Sequence, residues 1–281
     1  MQVRSLVPVI AGAIVLSIAP AASAAWAPAA TAPIHPGVQT ITGGAQCTAN
    51  FVYQDATTGT VYLGQAAHCS GTGGNTATNG CDSGSLPEGT PVEIDGSDGN
   101  TYNGVMTYNS WIRMQAQHET DSETCQFNDI ALIQLTAADA AKTNPSVPGW
   151  GGPTGTGSLG DQGANTYTYG NSSLRGGVTF LSPKQGVVVQ RSTGGWSTDV
   201  YTASPGIPGD SGSGFLNDTG QAAGILSTVQ LAPLAGSNGV GDLPRELNWM
   251  HTHGGPNVAV VNGTEPFQTD LTTAIASQLG F

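Results

Sequence analysis

Between Phe51 and Val229 the sequence carries almost no helical periodicity, and that narrows the folds open to it. Its apolar residues fall in short runs bounded by turn residues. These are Phe51-Val52-Tyr53 and Val61-Tyr62-Leu63 around a polar stretch ending in Gly59, then Ile130-Ala131-Leu132-Ile133, Val187-Val188-Val189 and Gly224-Ile225-Leu226. Runs this short and rich in β-branched residues read as strands, the first two as a hairpin. Many short strands joined by glycine-rich turns make a sandwich or a barrel, so an all-β protein is expected. The 41 glycines supply turns, and the 38% of hydrophobic residues is enough to bury a core. Helical spacing returns only near the end. Leu243, Leu247 and Met250 share a face across Asp242 to His253, and Leu271, Ile275 and Leu279 share one across Asp270 to Leu279. Two short helices are expected there, with Val258-Ala259-Val260-Val261 as a strand between them.

The organisation follows from the breaks in this pattern. Arg4, the apolar stretch Leu6 to Ile18 and the small residues Ala22-Ser23-Ala24 form a secretory signal-peptide pattern, giving residues 1–24 as signal peptide. The apolar stretch is too short to cross about 30 Å of hydrocarbon. Residues 25–37, rich in Ala and Pro, read as a short, poorly ordered leader. The remainder divides into 38–137, a linker at 138–152 containing Pro148-Gly149-Trp150-Gly151-Gly152, and 153–281.

Export places the four cysteines, Cys47, Cys69, Cys81 and Cys125, in an oxidising setting, where an even count points to disulfides with three connectivities open. No two stand at the spacing of a zinc knuckle. Charged residues are only 9% of the chain and the formal net charge is −12, so nucleic acid and anionic membrane surfaces are poor partners.

Three segments carry chemistry together. Ala66-Ala67-His68-Cys69 puts a histidine just after a strand and beside a cysteine. Asn128-Asp129-Ile130-Ala131-Leu132 puts a carboxylate at the mouth of an apolar run. Gly206-Ile207-Pro208-Gly209-Asp210-Ser211-Gly212-Ser213-Gly214 puts a serine in a loop dense in glycine. There the amides of Gly209 and Ser211 can turn inward together, and Gly212 leaves open space beside the serine.

Ala-Ala-His-Cys, Asp-Ile-Ala-Leu and Gly-Asp-Ser-Gly, in this order, resemble the signature segments of the chymotrypsin-like (trypsin-fold) serine peptidases, in their exported bacterial branch. Subtilisins and α/β-hydrolases order these residues differently. The resemblance spans roughly Cys47 to Val229. It implies two six-stranded antiparallel β-barrels with the site in the cleft between them. His68 is then the general base, Asp129 its orienting carboxylate and Ser211 the nucleophile, with the Gly209 and Ser211 amides as oxyanion hole. No metal or cofactor is required. It also implies a Cys47–Cys69 disulfide, which leaves Cys81–Cys125 by exclusion. The expected protein is a secreted, monomeric serine endopeptidase acting on peptides or proteins. The alternatives are a catalytically silent binding protein on the same fold and an exported esterase.

The chain also departs from that family. Asp210 matches the residue that pairs with a freed amino terminus in zymogen-activated relatives, yet Ile41-Thr42-Gly43-Gly44 and Ile34 are poor activation starts, leaving local bonds as the other way to hold it. Pro205 stands where trypsin-like relatives place a pocket acid, so cleavage after Lys or Arg has no support. Ser227, Thr228 and Val229 match the strand that pairs with substrate, and Val229, where the family has Gly, is expected to narrow the pocket towards small or medium apolar residues. The one route to a cationic preference is an acid beyond Val229, such as Asp242 or Glu246, at the pocket base. His35, His118, His251 and His253 read as surface residues.

Overall fold

The computed structural model describes residues 26–74, 77–230 and 236–279, with the side chains of Val229 and Gln230 excepted. The expected signal peptide and the side chain of Val229 therefore lie outside the described residues. The protein is all-β, with antiparallel strands in two sheets and a few short helices.

The first sheet contains β1 (Gln39–Thr42), β2 (Ala45–Thr48), β3 (Val52–Asp55), β4 (Val61–Ala66), β5 (Pro91–Asp95), β6 (Thr101–Asn109) and β7 (Ile130–Gln134). The second is a closed barrel of β8 (Asn165–Tyr169), β9 (Pro183–Arg191), β10 (Ser197–Thr202), β11 (Gly214–Leu216), β12 (Ala222–Gln230) and β13 (Ser237–Asp242). The chain then returns to the first sheet as β14 (Val258–Val260), which pairs with β3 in the register Val258↔Asp55. The first sheet thus has eight strands, in the order β14-β3-β4-β7-β6-β5-β1-β2, where six were expected.

The helices are α1 (Ser110–Ala116), α2 (Ser122–Phe127), α3 (Ala137–Ala140), α4 (Leu243–Thr252) and α5 (Leu271–Ser277). The two expected near the end are present. The first three were not anticipated, because one or two turns leave no apolar period to read. Caps define α1 and α2 instead: the Asn109 side chain accepts from Trp111 N at 2.9 Å, and Asp121 accepts from Thr124 N at 2.8 Å.

Two boundaries need correction. Residues 26–37 are not a loose leader. Ile34 is fully buried, Asn144 N donates to Ile34 O at 2.9 Å, and Ala27 N donates to Thr143 O at 3.1 Å. Burying Ile34 is worth about 1.5–3 kcal/mol, which holds the segment down. Nor does 153–281 remain a single lobe, since β14 completes the first sheet. The linker is equally structural. Trp150 is fully buried, donates Nε1–H to Thr168 O at 2.9 Å, and packs against Tyr167 with ring centroids 5.0 Å apart.

Candidate active site

His68 lies in a 3-10 turn, Ala67–Ser70, entered directly from β4. Asp129 occupies the turn just before β7, which pairs with β4, so sheet register brings the two segments together. The carboxylate takes three donors. His68 N binds Oδ1 at 2.9 Å, His68 Nδ1 meets Oδ2 at 2.6 Å, and Ser227 Oγ donates to Oδ2 at 2.6 Å. Asp129 is 1% exposed, so this grip operates away from water. Burial alone would lower the His68 pKa, but the charge and hydrogen bond of Asp129 outweigh it and leave it raised above 6.5.

The backbone around Asp129 is equally fixed. Ser110 Oγ donates to Asn128 O at 2.9 Å and accepts from Ile130 N at 3.1 Å, while Ala67 N donates to Asp129 O at 3.0 Å. Ser227 reaches the carboxylate from a β-bulge, where the β12–β13 register shifts between Leu226 and Thr228. The extra residue re-aims that side chain.

Ser211 sits on the loop before β11, and the first lobe grips this loop. Thr48 N donates to Ser211 O at 2.8 Å, and Thr48 Oγ1 and Gln46 Nε2 donate to Gly209 O at 2.7 and 3.0 Å. Gly212 is therefore not beside open space as expected. It has φ +87°, and a Cβ there would lie 2.5 Å from Thr48 O and 2.9 Å from Ala66 N, so glycine permits close approach of the two lobes. The Pro208 carbonyl accepts from Ser172 Oγ at 2.5 Å. In a trans peptide the N–H points opposite to the C=O, so the Gly209 N–H faces away from Ser172. Among the described residues neither the Gly209 nor the Ser211 amide donates to a protein acceptor.

Asp210 is held from within the chain. It is fully buried, pairs with Arg175 Nη2 and with Lys184 Nζ (2.6 Å), and accepts from Ser172 N and Ile207 N at 3.1 and 3.2 Å. Local bonds within the chain, the second of the two expected arrangements, thus satisfy Asp210 here. His68, Ser211, Gly209, Ser227 and Thr228 all line one cleft of about 550 Å³. No hydrogen bond joins Ser211 Oγ to His68 among the described residues, a contact that commonly tightens only when substrate is bound.

With this geometry in view, the structure aligns with protease A of Thermobifida fusca at a TM-score of 0.51 and 17% sequence identity, covering 82% of this chain and 99% of that one. The fold is chymotrypsin-like. The Nocardiopsis protease aligns at a TM-score of 0.48 and 17% identity, over 81% of this chain and 98% of its own. No family model and no curated protein matches the sequence.

The chymotrypsin-like frame carries two disulfides. Cys47–Cys69 ties β2 to the histidine turn, and Cys81–Cys125 ties a long loop to α2. Cys47, His68 and Cys69 cluster tightly, but both sulfurs are spent in the disulfide and offer no thiolate to a metal. Pro205 is exposed and does not line the cleft; Gly206, Ile207 and Pro208 do. Among the described residues His68 is the only ionisable side chain lining it. Asp242 pairs with Arg191 and caps α4, and Glu246 bonds the Asp129 amide at 2.9 Å, so neither acid reaches the cleft. Of the other histidines, His118 and His251 are exposed, while His35 and His253 are half-buried.

Sequence reading missed Arg175 and Lys184, scattered cations with no motif around them, and Trp111, whose ring lies 6.4 Å from that of His68 in the cleft wall. Glu246 did leave a signal. It stands with Leu243, Leu247 and Met250 on the inward stripe of α4, where a carboxyl is out of place.

Proposed function

We propose that the chain is an exported serine endopeptidase, with Ser211 as nucleophile, His68 as general base and Asp129 as its orienting carboxylate. The observation that carries this reading is the seat of His68. Asp129 binds both its backbone N–H and Nδ1, which fixes the ring and leaves Nε2 as the nitrogen available in the cleft that Ser211 shares. Ser211 Oγ attacks the peptide carbonyl as His68 takes its proton. The tetrahedral oxyanion is stabilised by the Gly209 and Ser211 amides. His68 then protonates the leaving amine, and water hydrolyses the acyl-enzyme by the reverse proton path.

Two disulfides fit an oxidising, extracellular setting. A charged residue before the scissile bond would be desolvated without a partner in this cleft, so apolar residues should be preferred there. A peptide-library profile dominated by Lys or Arg would contradict that preference.

The direct test is labelling with a fluorophosphonate followed by peptide mapping. Modification should fall on Ser211 and disappear in Ser211→Ala, which should retain the fold and only about 10³-fold acceleration over water. Label on another residue, or near-normal turnover by the variant, would end the proposal. Parallel assays on casein and on simple acyl esters separate an endopeptidase from an esterase and from a silent binding protein.

A further inference from the structure

Glu246 is a carboxyl that the scheme above leaves unused, although it touches the triad from behind. It is fully buried on α4, and its Oε1 accepts the backbone N–H of Asp129 at 2.9 Å. Its Oε2 is buried without a protein partner. Space is made for the group by Gly241 on β13, where a Cβ would lie 2.7 Å from Oε1. The ionisable groups facing it are Asp129, Asp242 at the start of α4, Tyr53 on β3 and Tyr108 on β6. Asp242 is already paired with Arg191, and Tyr53 donates to Asn50 Oδ1 at 2.9 Å. Among the described residues no cation is bonded to Glu246.

A carboxylate so placed would be desolvated, nearly unbonded and set against the charge of Asp129, all of which favour the protonated form. Burial, reinforced by the negative charges of Asp129 and Asp242, lifts its pKa well above 4.5 even though the Asp129 amide opposes it. An ionised Glu246 would favour the imidazolium form of His68 and so disable the general base at neutral pH.

We propose that Glu246 is a positioning residue, a neutral acid that holds the Asp129 amide and so fixes the aim of that carboxylate at His68 without adding a second negative charge behind it. The kinetic part of this inference rests on the endopeptidase reading; the titration of His68 does not.

The test uses the full chain with Glu246→Gln, Glu246→Asp and Glu246→Leu. Gln keeps an oxygen for the amide and is neutral. The His68 titration followed by NMR, and the acid limb of kcat/KM, should therefore stay where they are in the unaltered chain, with kcat little changed. Asp withdraws the oxygen and Leu removes it, so both should lower kcat by about 10- to 100-fold, the scale of a small misplacement, with KM unchanged. A fall in the His68 pKa of about half a unit or more in Glu246→Gln would show that Glu246 is ionised and overturn the proposal. Full kcat in the folded Asp or Leu variant would overturn it as well. Should Leu prevent folding, Gln and Asp still decide between these outcomes. If the unaltered chain neither cleaves peptides nor labels at Ser211, the endopeptidase reading fails separately, and the His68 titration still reports on Glu246.

Discussion

At the scale of single residues, the decisive arrangement is one carboxylate with three donors, two of them from the same histidine. It has a consequence for pH. In the proposed mechanism His68 is the base only when neutral, so activity should be lost as pH falls through its pKa. Burial pushes that pKa down, and Asp129 more than restores it, so the acid limb of kcat/KM should lie above 6.5. In Asp129→Asn only the burial effect remains, so the limb should move below 6.5 while turnover drops by about 10⁴-fold through the wrong tautomer. A pH–rate profile of both forms checks the pair of statements; an unmoved limb in the variant would show that Asp129 does not set the base. The segments holding His68, Asp129 and Ser211 stand out locally in the sequence, and the structure joins His68 to Asp129 and sets His68 and Ser211 in one cleft. Glu246 was read from the sequence only as a candidate pocket acid, and its place on the apolar stripe of α4 was the overlooked signal that it is buried. What it touches depends on packing α4 against the start of β7, which no local pattern encodes.

At the scale of elements, the loop from Gly206 to Gly214 is shaped by what Asp210 holds. One buried carboxylate faces two cations, Arg175 and Lys184, with side chains 8% and 4% exposed. Asp210→Ala would leave both cations buried and uncompensated, a change worth about 3–5 kcal/mol of stability. Chemical denaturation should show that loss. Fluorophosphonate labelling should weaken beyond it, since the turn presenting the Gly209 and Ser211 amides loses its anchor. A stability change below about 1 kcal/mol, the level of a surface pair, would contradict this account. Of the strands around the loop, β9 and β12 could be read from the apolar runs Val187-Val188-Val189 and Gly224-Ile225-Leu226, whereas β8, β10, β11 and β13 carry no such run and were not anticipated. The anchoring cations could not be read either, because Arg175 and Lys184 lie in a different stretch of chain with no periodicity or motif around them.

At the scale of the whole molecule, the lobes are joined by more than a linker. After β13 the chain runs through α4, pairs β14 with β3, and places Phe267 edge-on to Tyr167 at 5.4 Å beneath Trp150. Deleting residues 256–281 would uncover the outer edge of β3 and strip that aromatic cluster. The shortened chain should lose its cooperative thermal transition and become sensitive to proteolysis; an unchanged melt would show that the return strand is dispensable. This crossing was hidden from the sequence, where Val258 to Val261 read as a strand but nothing specified its partner. It also has a consequence in time. Asp55 is made early and its partner Val258 late, so the first lobe cannot close its sheet while the chain is still emerging. Until then β3 presents an unpaired edge, the kind that templates aggregation, and pairing across so long a loop is slow. Closure of the first sheet therefore waits until Val258–Val260 have been made, an order of events suited to the export proposed for this chain, which requires it unfolded in the channel.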